Sequence, residues 1–183
     1  ITINSNKVVF NTASGKVTFA GGNSQTLNGS YNFPFKKLAI DKGNGFVTSN
    51  ATFTVDDTLF FVKGFFLTKS TNELTLKLNS KAVGASDSSY VQGPVKKIGN
   101  TAFVFPTGAN NSYRPIEISA PSTTTSEFVG EFVEDSLLIH TVQRDSSLGF
   151  LIRNKYWKLN RTSGSSQVYV TLSWDSLNAL VDT

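Results

Sequence analysis

Alternation constrains this chain most. Apolar side chains recur at every second position in short runs, and Gly, Asn, Ser or Asp closes each run. Residues 90–121, YVQGPVKKIGNTAFVFPTGANNSYRPIEISAP, carry this period with no helical stripe. Successive side chains of a strand point to opposite faces, so a period of two spells half-buried sheet. Val17 and Phe19 share a face in this way, as do Leu38 with Ile40, Phe53 with Val55, and Leu74 with Leu76 and Leu78. Turn chemistry separates the runs at Ser14-Gly15, Gly21-Gly22-Asn23, Asn28-Gly29 and Gly43-Asn44-Gly45.

The first half predicts strands at 7–10, 16–19, 37–40, 46–47, 52–55, 59–62, 65–68 and 74–78. Starts near Val17, Leu38, Leu59 and Leu74 recur about every 20 residues, the spacing of solenoid coils. The last step is shorter, so residues 1–85 fit either a solenoid-like or open β stack or a conventional antiparallel sandwich. Residues 81–89 are small and polar and suit a junction. Beyond them, strands are expected at 90–97, 102–106, 114–118, 127–133, 137–142, 156–159 and 167–174. Only residues 131–140 offer a helical alternative, and Leu138-Ile139 followed by Thr141-Val142 favours a strand. The predicted fold class is therefore all-β: a short β-solenoid-like N-terminal region over 1–85, then an antiparallel β-sandwich over 86–183.

Composition narrows the function classes. A hydrophobic content of 39%, with 15 Phe, is too high for a disordered linker. The absence of Cys removes disulfides and thiolate metal sites. The absence of Met predicts a cut chain with more protein upstream. A net charge of +4 invites nucleic acid, but the lysines are spread, never in runs longer than two, and no aromatic-basic motif accompanies them. No apolar run approaches the roughly 20 residues that span a bilayer, so neither nucleic acid nor membrane is an expected partner.

Several segments together carry a family likeness. They are Val83-Gly84-Ala85, Gly93-Pro94-Val95-Lys96-Lys97, Gly99-Asn100, residues 103–108 (FVFPTG), Tyr113-Arg114-Pro115-Ile116 and Ile118-Ser119. Later come residues 156–161 (YWKLNR), Gly164-Ser165 and residues 168–175 (VYVTLSWD). Over residues 35–175 the composite resembles a segment of large type IX-secreted, adhesin-like surface proteins of Bacteroidota. The resemblance implies an extracellular, cell-surface location and a modular parent, with no catalytic role for the segment itself. The C-terminal sorting domain usual in that group is not recognisable here. The group O-glycosylates Asp, then Ser or Thr, then an apolar residue, which points to Thr58, Ser136 and Ser176 wherever the loop is exposed.

Catalytic constellations are thin. His140 is the lone histidine, no Gly-x-Ser-x-Gly elbow is present, and alternation groups His140 with Leu138 and Val142. Glu127, Glu131, Glu134 and Asp135 form the densest carboxylate group, the raw material of glycoside hydrolysis or calcium binding. Val129 and Val133 interleave with Glu127 and Glu131, however, and no acidic calcium loop is present, so a solvated edge is expected. Gly21-Gly22 and Gly43-x-Gly45 lack the Lys of a phosphate loop. No catalytic residue, metal or cofactor is predicted, and the chain is expected not to be an enzyme.

Aromatics are the binding candidates. Trp157 and Trp174 fall on apolar faces and should pack in the core, while Tyr31, Tyr90, Tyr113 and Tyr156 suit the surface. Tyr113 and Arg114 flank the turn at 108–112, and with Tyr156 they form the candidate binding set. The expected function is a structural or adhesion module. It would assemble with other copies or neighbouring domains through strand edges such as residues 1–3. The alternative is a carbohydrate-binding module that uses exposed aromatics on a polysaccharide.

Overall fold

The structure is a computed structural model that describes residues 2–3, 15–134 and 155–173. It holds sixteen strands and no helix among the described residues. The first part comprises β1 (Thr2–Ile3), β2 (Lys16–Ala20), β3 (Gln25–Gly29), β4 (Phe33–Asn50), β5 (Phe53–Leu67), β6 (Leu74–Leu76), β7 (Lys81–Val83), β8 (Val91–Gln92) and β9 (Val95–Ile98). Every pairing within this part is parallel. Phe33 lies beside Phe53, Phe53 beside Leu74 and Leu74 beside Val95, steps of 20, 21 and 21 residues (33 to 53, 53 to 74, 74 to 95). Of the two readings open for residues 1–85, the stacked coil is the one observed.

The sequence predicts separate short strands where the chain builds two long ones. β4 and β5 each contain three straight runs, 33–35, 37–40 and 46–48 in β4 and 53–55, 58–61 and 65–67 in β5, separated by register shifts. The breaks at Lys36, Asp56-Asp57 and Gly43-Asn44-Gly45 are corners that bend the coil without ending the pairing. β3 and β7 are strands without a counterpart in the sequence reading, and the run expected at 90–97 divides into β8 and β9 at Gly93, where φ is 116°. The strands expected at 7–10 and 137–142 lie outside the described residues.

Inward positions line up coil over coil. Phe33 stacks on Phe53 with ring centroids 5.3 Å apart, Phe35 on Phe53 at 5.8 Å, and Phe66 meets Phe53 edge-on at 5.2 Å. Leu38 and Leu59 fill a second side and Val47, Phe66 and Val91 a third, all buried. Full burial of each such side chain contributes about 1.5–3 kcal/mol over leaving it exposed.

At β9 the pairing changes direction. β14 (Glu127–Glu134) runs antiparallel to β9, and β15 (Lys155–Ser163) antiparallel to β14, so one sheet continues from the coils into the second part. Its rungs cross both parts: Phe33, Phe53, Leu74, Val95, Gly130 and Leu159 form one inward row. A second antiparallel sheet, β10 (Phe103–Phe105), β13 (Ile116–Ile118) and β16 (Val170–Leu172), packs over the first. Gly130 allows this approach, since a Cβ there would come 2.7 Å from the Phe105 ring. The hairpin of β11 (Gly108–Ala109) and β12 (Ser112–Tyr113) turns on Asn110 and Asn111, both with positive φ as a two-residue type I′ turn requires.

The fold is all-β, solenoid-like first and an antiparallel sandwich after. One hydrophobic cluster runs through it from Phe19 to Phe128. Residues 81–89, the expected junction, lie along the coils: β7 pairs with β5, and the buried Ser89 hydroxyl donates to Gly64 O at 2.8 Å. Parallel pairing extends past position 86 to β9.

Phe53 touches three other rings, so Phe53→Ala should lower unfolding free energy by about 3–5 kcal/mol in urea titration. Val62→Thr, at an exposed position that keeps its β-branch, should stay within about 0.5 kcal/mol of wild type.

Candidate interaction surface

The three residues expected to bind do not form one platform. The Tyr113 N–H donates to Asp87 Oδ1 at 2.7 Å, and burial of the ring raises the pKa of its hydroxyl. Arg114 is held through its backbone: its N–H donates to Thr107 O at 2.8 Å, and its carbonyl accepts from Thr107 Oγ1 at 2.9 Å and Trp157 Nε1 at 3.2 Å. Its Nη1 donates to Tyr113 O at 3.0 Å. Tyr156 and Trp157 are consecutive in β15, so their side chains leave opposite faces. Trp157 faces Arg114, which puts Tyr156 on the far side of the sheet with Lys158, whose Nζ lies 5.5 Å from its ring.

Tyr90 corrects a surface expectation. It is 1% exposed, with its ring 4.7 Å from Phe65 and its hydroxyl accepting from the Asn111 N–H at 2.9 Å. Its outward position in the coil is covered by the β11–β12 hairpin, a contact between distant segments that alternation cannot report. Tyr31, Phe46 and Tyr169 are exposed but stand on separate elements and make no row. Trp157 packs on the core as expected, 5.1 Å from Phe132, while Trp174 lies outside the described residues.

The carboxylates are matched by lysines. Glu131 meets Lys158 at 3.7 Å and Glu134 meets Lys155 at 3.2 Å, each directly across the β14–β15 ladder. Glu127 and Glu73 share Lys96, and the hydrogen bond that Lys96 donates to Glu73 is the main cause that raises the pKa of that lysine. Such an outer face of paired charges is a solvated surface. No group of three or more His, Asp or Glu is placed to hold a metal among the described residues. His140, Asp135, Ser136 and Ser176 lie outside them.

Thr58 corrects the glycosylation expectation. It sits within β5, flanked by Lys37 and Lys81 on the neighbouring strands, and is 3% exposed. Its hydroxyl donates to Asp57 Oδ1 at 2.8 Å, which is the main cause that lowers the Asp57 pKa. A glycan has no room there.

One buried cation escaped the sequence reading. Lys97 occupies the inward row Phe35, Val55, Leu76, Lys97 and Phe128 and is 2% exposed. Its ammonium donates to Lys77 O at 2.6 Å, Ser80 O at 3.1 Å and Ser80 Oγ at 3.4 Å, and lies 5.3 Å from the Phe103 ring centroid. Burial lowers its pKa to about 8. The signal was present, because Lys97 shares a face with Val95. Lys42 does similar work at an earlier corner, where its buried ammonium donates to Ala20 O at 2.8 Å. A further polar cluster clasps two loops: Ser166 Oγ lies 2.7 Å from both Ser122 Oγ and Ser126 Oγ, and Thr123 Oγ1 lies 2.8 Å from Ser126 Oγ.

The sandwich is open on one side. β15 ends the long sheet and β16 ends the smaller one, and neither has a second neighbouring strand among the described residues. Val170 and Leu172 lie across from Ile118 and Ile116 and share their core-facing side. The isoleucines are buried, yet Val170 and Leu172 are each 46% exposed. The chain matches no known family model, no curated protein and no solved structure.

The Lys97 pKa sets a pH dependence. Its value of about 8 lies below the roughly 10.4 of an unfolded lysine, so between these the unfolded chain holds the extra proton. Stability from this group therefore rises with pH from about 8 to about 10.4. In urea titrations, wild type should gain on the order of 1–3 kcal/mol relative to Lys97→Met between pH 7 and pH 10. A constant gap would show that the buried amine does not titrate there.

Proposed function

We propose that this chain is a non-enzymatic structural or adhesion module of a secreted, cell-surface protein, of the type IX-secreted kind that residues 35–175 resemble. The observation that carries the reading is the inward row from Phe33 to Leu159, which crosses coils and sandwich within one sheet. Each strand added to such a sheet extends it by about 4.8 Å, and the shared core stiffens it against bending. The partners in this reading are other copies of the chain or neighbouring domains of its parent, and no cofactor is needed. Ser136 and Ser176 are its candidate glycosylation sites. Polysaccharide binding, the alternative, draws little support from Tyr113, Arg114 and Tyr156, since Tyr156 faces away from the other two.

Protease treatment of intact cells that make the parent protein tests this. An antibody against residues 15–134 should lose its signal without lysis, while a cytoplasmic marker stays intact. Protection until lysis would exclude a surface role. Retention of the purified chain on insoluble polysaccharides would move the conclusion to the carbohydrate-binding alternative.

A further inference from the structure

The open side of the sandwich is also an end of the stack among the described residues. Hydrogen bonds between stacked coils run along the stacking axis, and the sheet order continues from β4, β5, β6 and β9 to β14 and β15. Among the described residues no strand lies beyond β15, so its outer edge stands where the next strand along the axis would lie. β16 ends the overlying sheet in the same region, because Trp157 of β15 bonds Arg114 at the start of the β13 segment, Ser173 donates to Pro115 O at 3.3 Å, and Arg161 donates to Ser166 O at 2.8 Å. Leu159 lies midway between Trp157 and Arg161, which places it level with the centre of β16.

Resting on the reading of the chain as a structural module that associates through strand edges, we infer that two copies join end to end through this side. β15 pairs antiparallel with β15 and β16 with β16 across one two-fold axis. Three features support it. First, the β15 edge is long and regular: it is nine residues long, has no Pro, and keeps a regular register with β14 from Phe128 to Glu134, so that its charges, Lys155, Lys158 and Arg161, restrict which register a partner can take. Second, its side chains complement themselves. With Leu159 on the axis, Trp157 faces Arg161 of the partner subunit, Lys158 faces Asn160 of the partner subunit, and Tyr156 faces Thr162 of the partner subunit. A cation then meets an indole and no like charges oppose each other. With Lys158 on the axis, Lys158 would oppose its own copy and Lys155 would oppose Arg161 of the partner subunit, so charge selects the first register.

Third, β16 supplies the apolar surface. With Thr171 on the same axis, Val170 faces Leu172 of the partner subunit and Tyr169 faces Ser173 of the partner subunit. The exposed core-facing pair would be covered and both sheets would run on into the second copy. The contact is isologous, so it closes at two copies.

Sedimentation velocity on the full chain tests this from about 1 to about 500 µM, where a dimer declares itself by concentration dependence. The mass should move from 19.9 kDa to twice that value. Asn160→Lys, which sets a lysine against the partner's Lys158, should weaken association about tenfold or more, and Asn160→Glu should tighten it. Leu172→Lys should leave a monomer. Asn160 and Leu172 are exposed in one copy, so each variant should melt as wild type does when dilute. A wild type that stays monomeric throughout overturns the pairing, while the surface role is judged separately by the whole-cell protease experiment. Association that none of the three substitutions changes overturns it too, and would show that copies meet elsewhere.

Discussion

Everything in this molecule depends on inward side chains of one coil resting on those of the next. A single circuit of short strands cannot bury its own apolar positions, because half of each ring faces along the axis. Phe53 illustrates the dependence: Phe33 and Phe35 stack on it from one coil, and its own coil contributes Phe66 edge-on. The stacking holds the first side of the coil to steps of 20, 21 and 21 residues (33 to 53, 53 to 74, 74 to 95). Elsewhere the circuit is freer. On the third side the step is 19 residues from Phe46 to Phe65 and 25 from Phe66 to Val91. Corners absorb the difference. At Gly64, with φ of +84°, a Cβ would come 2.5 Å from that of Lys42, so this corner is closed to any other residue.

A parallel stack must end somewhere without leaving its core bare. Here the sheet reverses its pairing at β9 and continues as antiparallel strands, while the second sheet closes over the inward face. Lys97 marks the joint. Its aliphatic stem continues the row from Leu76, and its ammonium takes up carbonyls of the corner at 77–80. A corner carbonyl buried without a donor would cost more than a typical hydrogen bond returns, so the lysine stabilises the turn even though burial disfavours its charge. Gly130 answers a different need at the same joint, since only a bare backbone lets Phe105 settle between the sheets.

Alternation made the strand class and the inward residues legible, because period two follows from backbone geometry alone. The coil spacing was legible too, at Val17, Leu38 and Leu59, which pair in register as read. The corners were not. Asp56-Asp57 and Gly43-Asn44-Gly45 carry the residues of ordinary turns, and only the partner strands show that pairing persists through them. Tyr90 and Thr58 were misplaced for a related reason: both occupy outward positions that neighbouring segments cover, and burial of that kind is set by tertiary contact. Lys97 was legible by position and overlooked by residue type, since a lysine in an alternating run reads as solvated unless its inward neighbours are counted.

The two ways of building a core in this chain leave different boundaries. In the coils the long strands β4 and β5 are paired on both sides, and the outer face carries ion pairs such as Lys37–Asp57 and Lys77–Asp56 that suit water. Among the described residues the two sheets of the sandwich cover each other but stop together, at β15 and β16, and there Val170 and Leu172 of the upper sheet's core-facing row stay exposed. Exposed apolar positions on the outward side of a strand need no explanation, because most protein surface is apolar. Positions that face the core and remain exposed are different, since the same alternation that buries Ile116 and Ile118 orients Leu172 and Val170 beside them. The uncovered pair is thus a consequence of how the stack is ended. A solenoid closed by a sandwich exchanges an open coil face, wide and hydrophobic, for a pair of strand edges, narrow and able to hydrogen-bond. Such an end can remain soluble and still be extended by another strand.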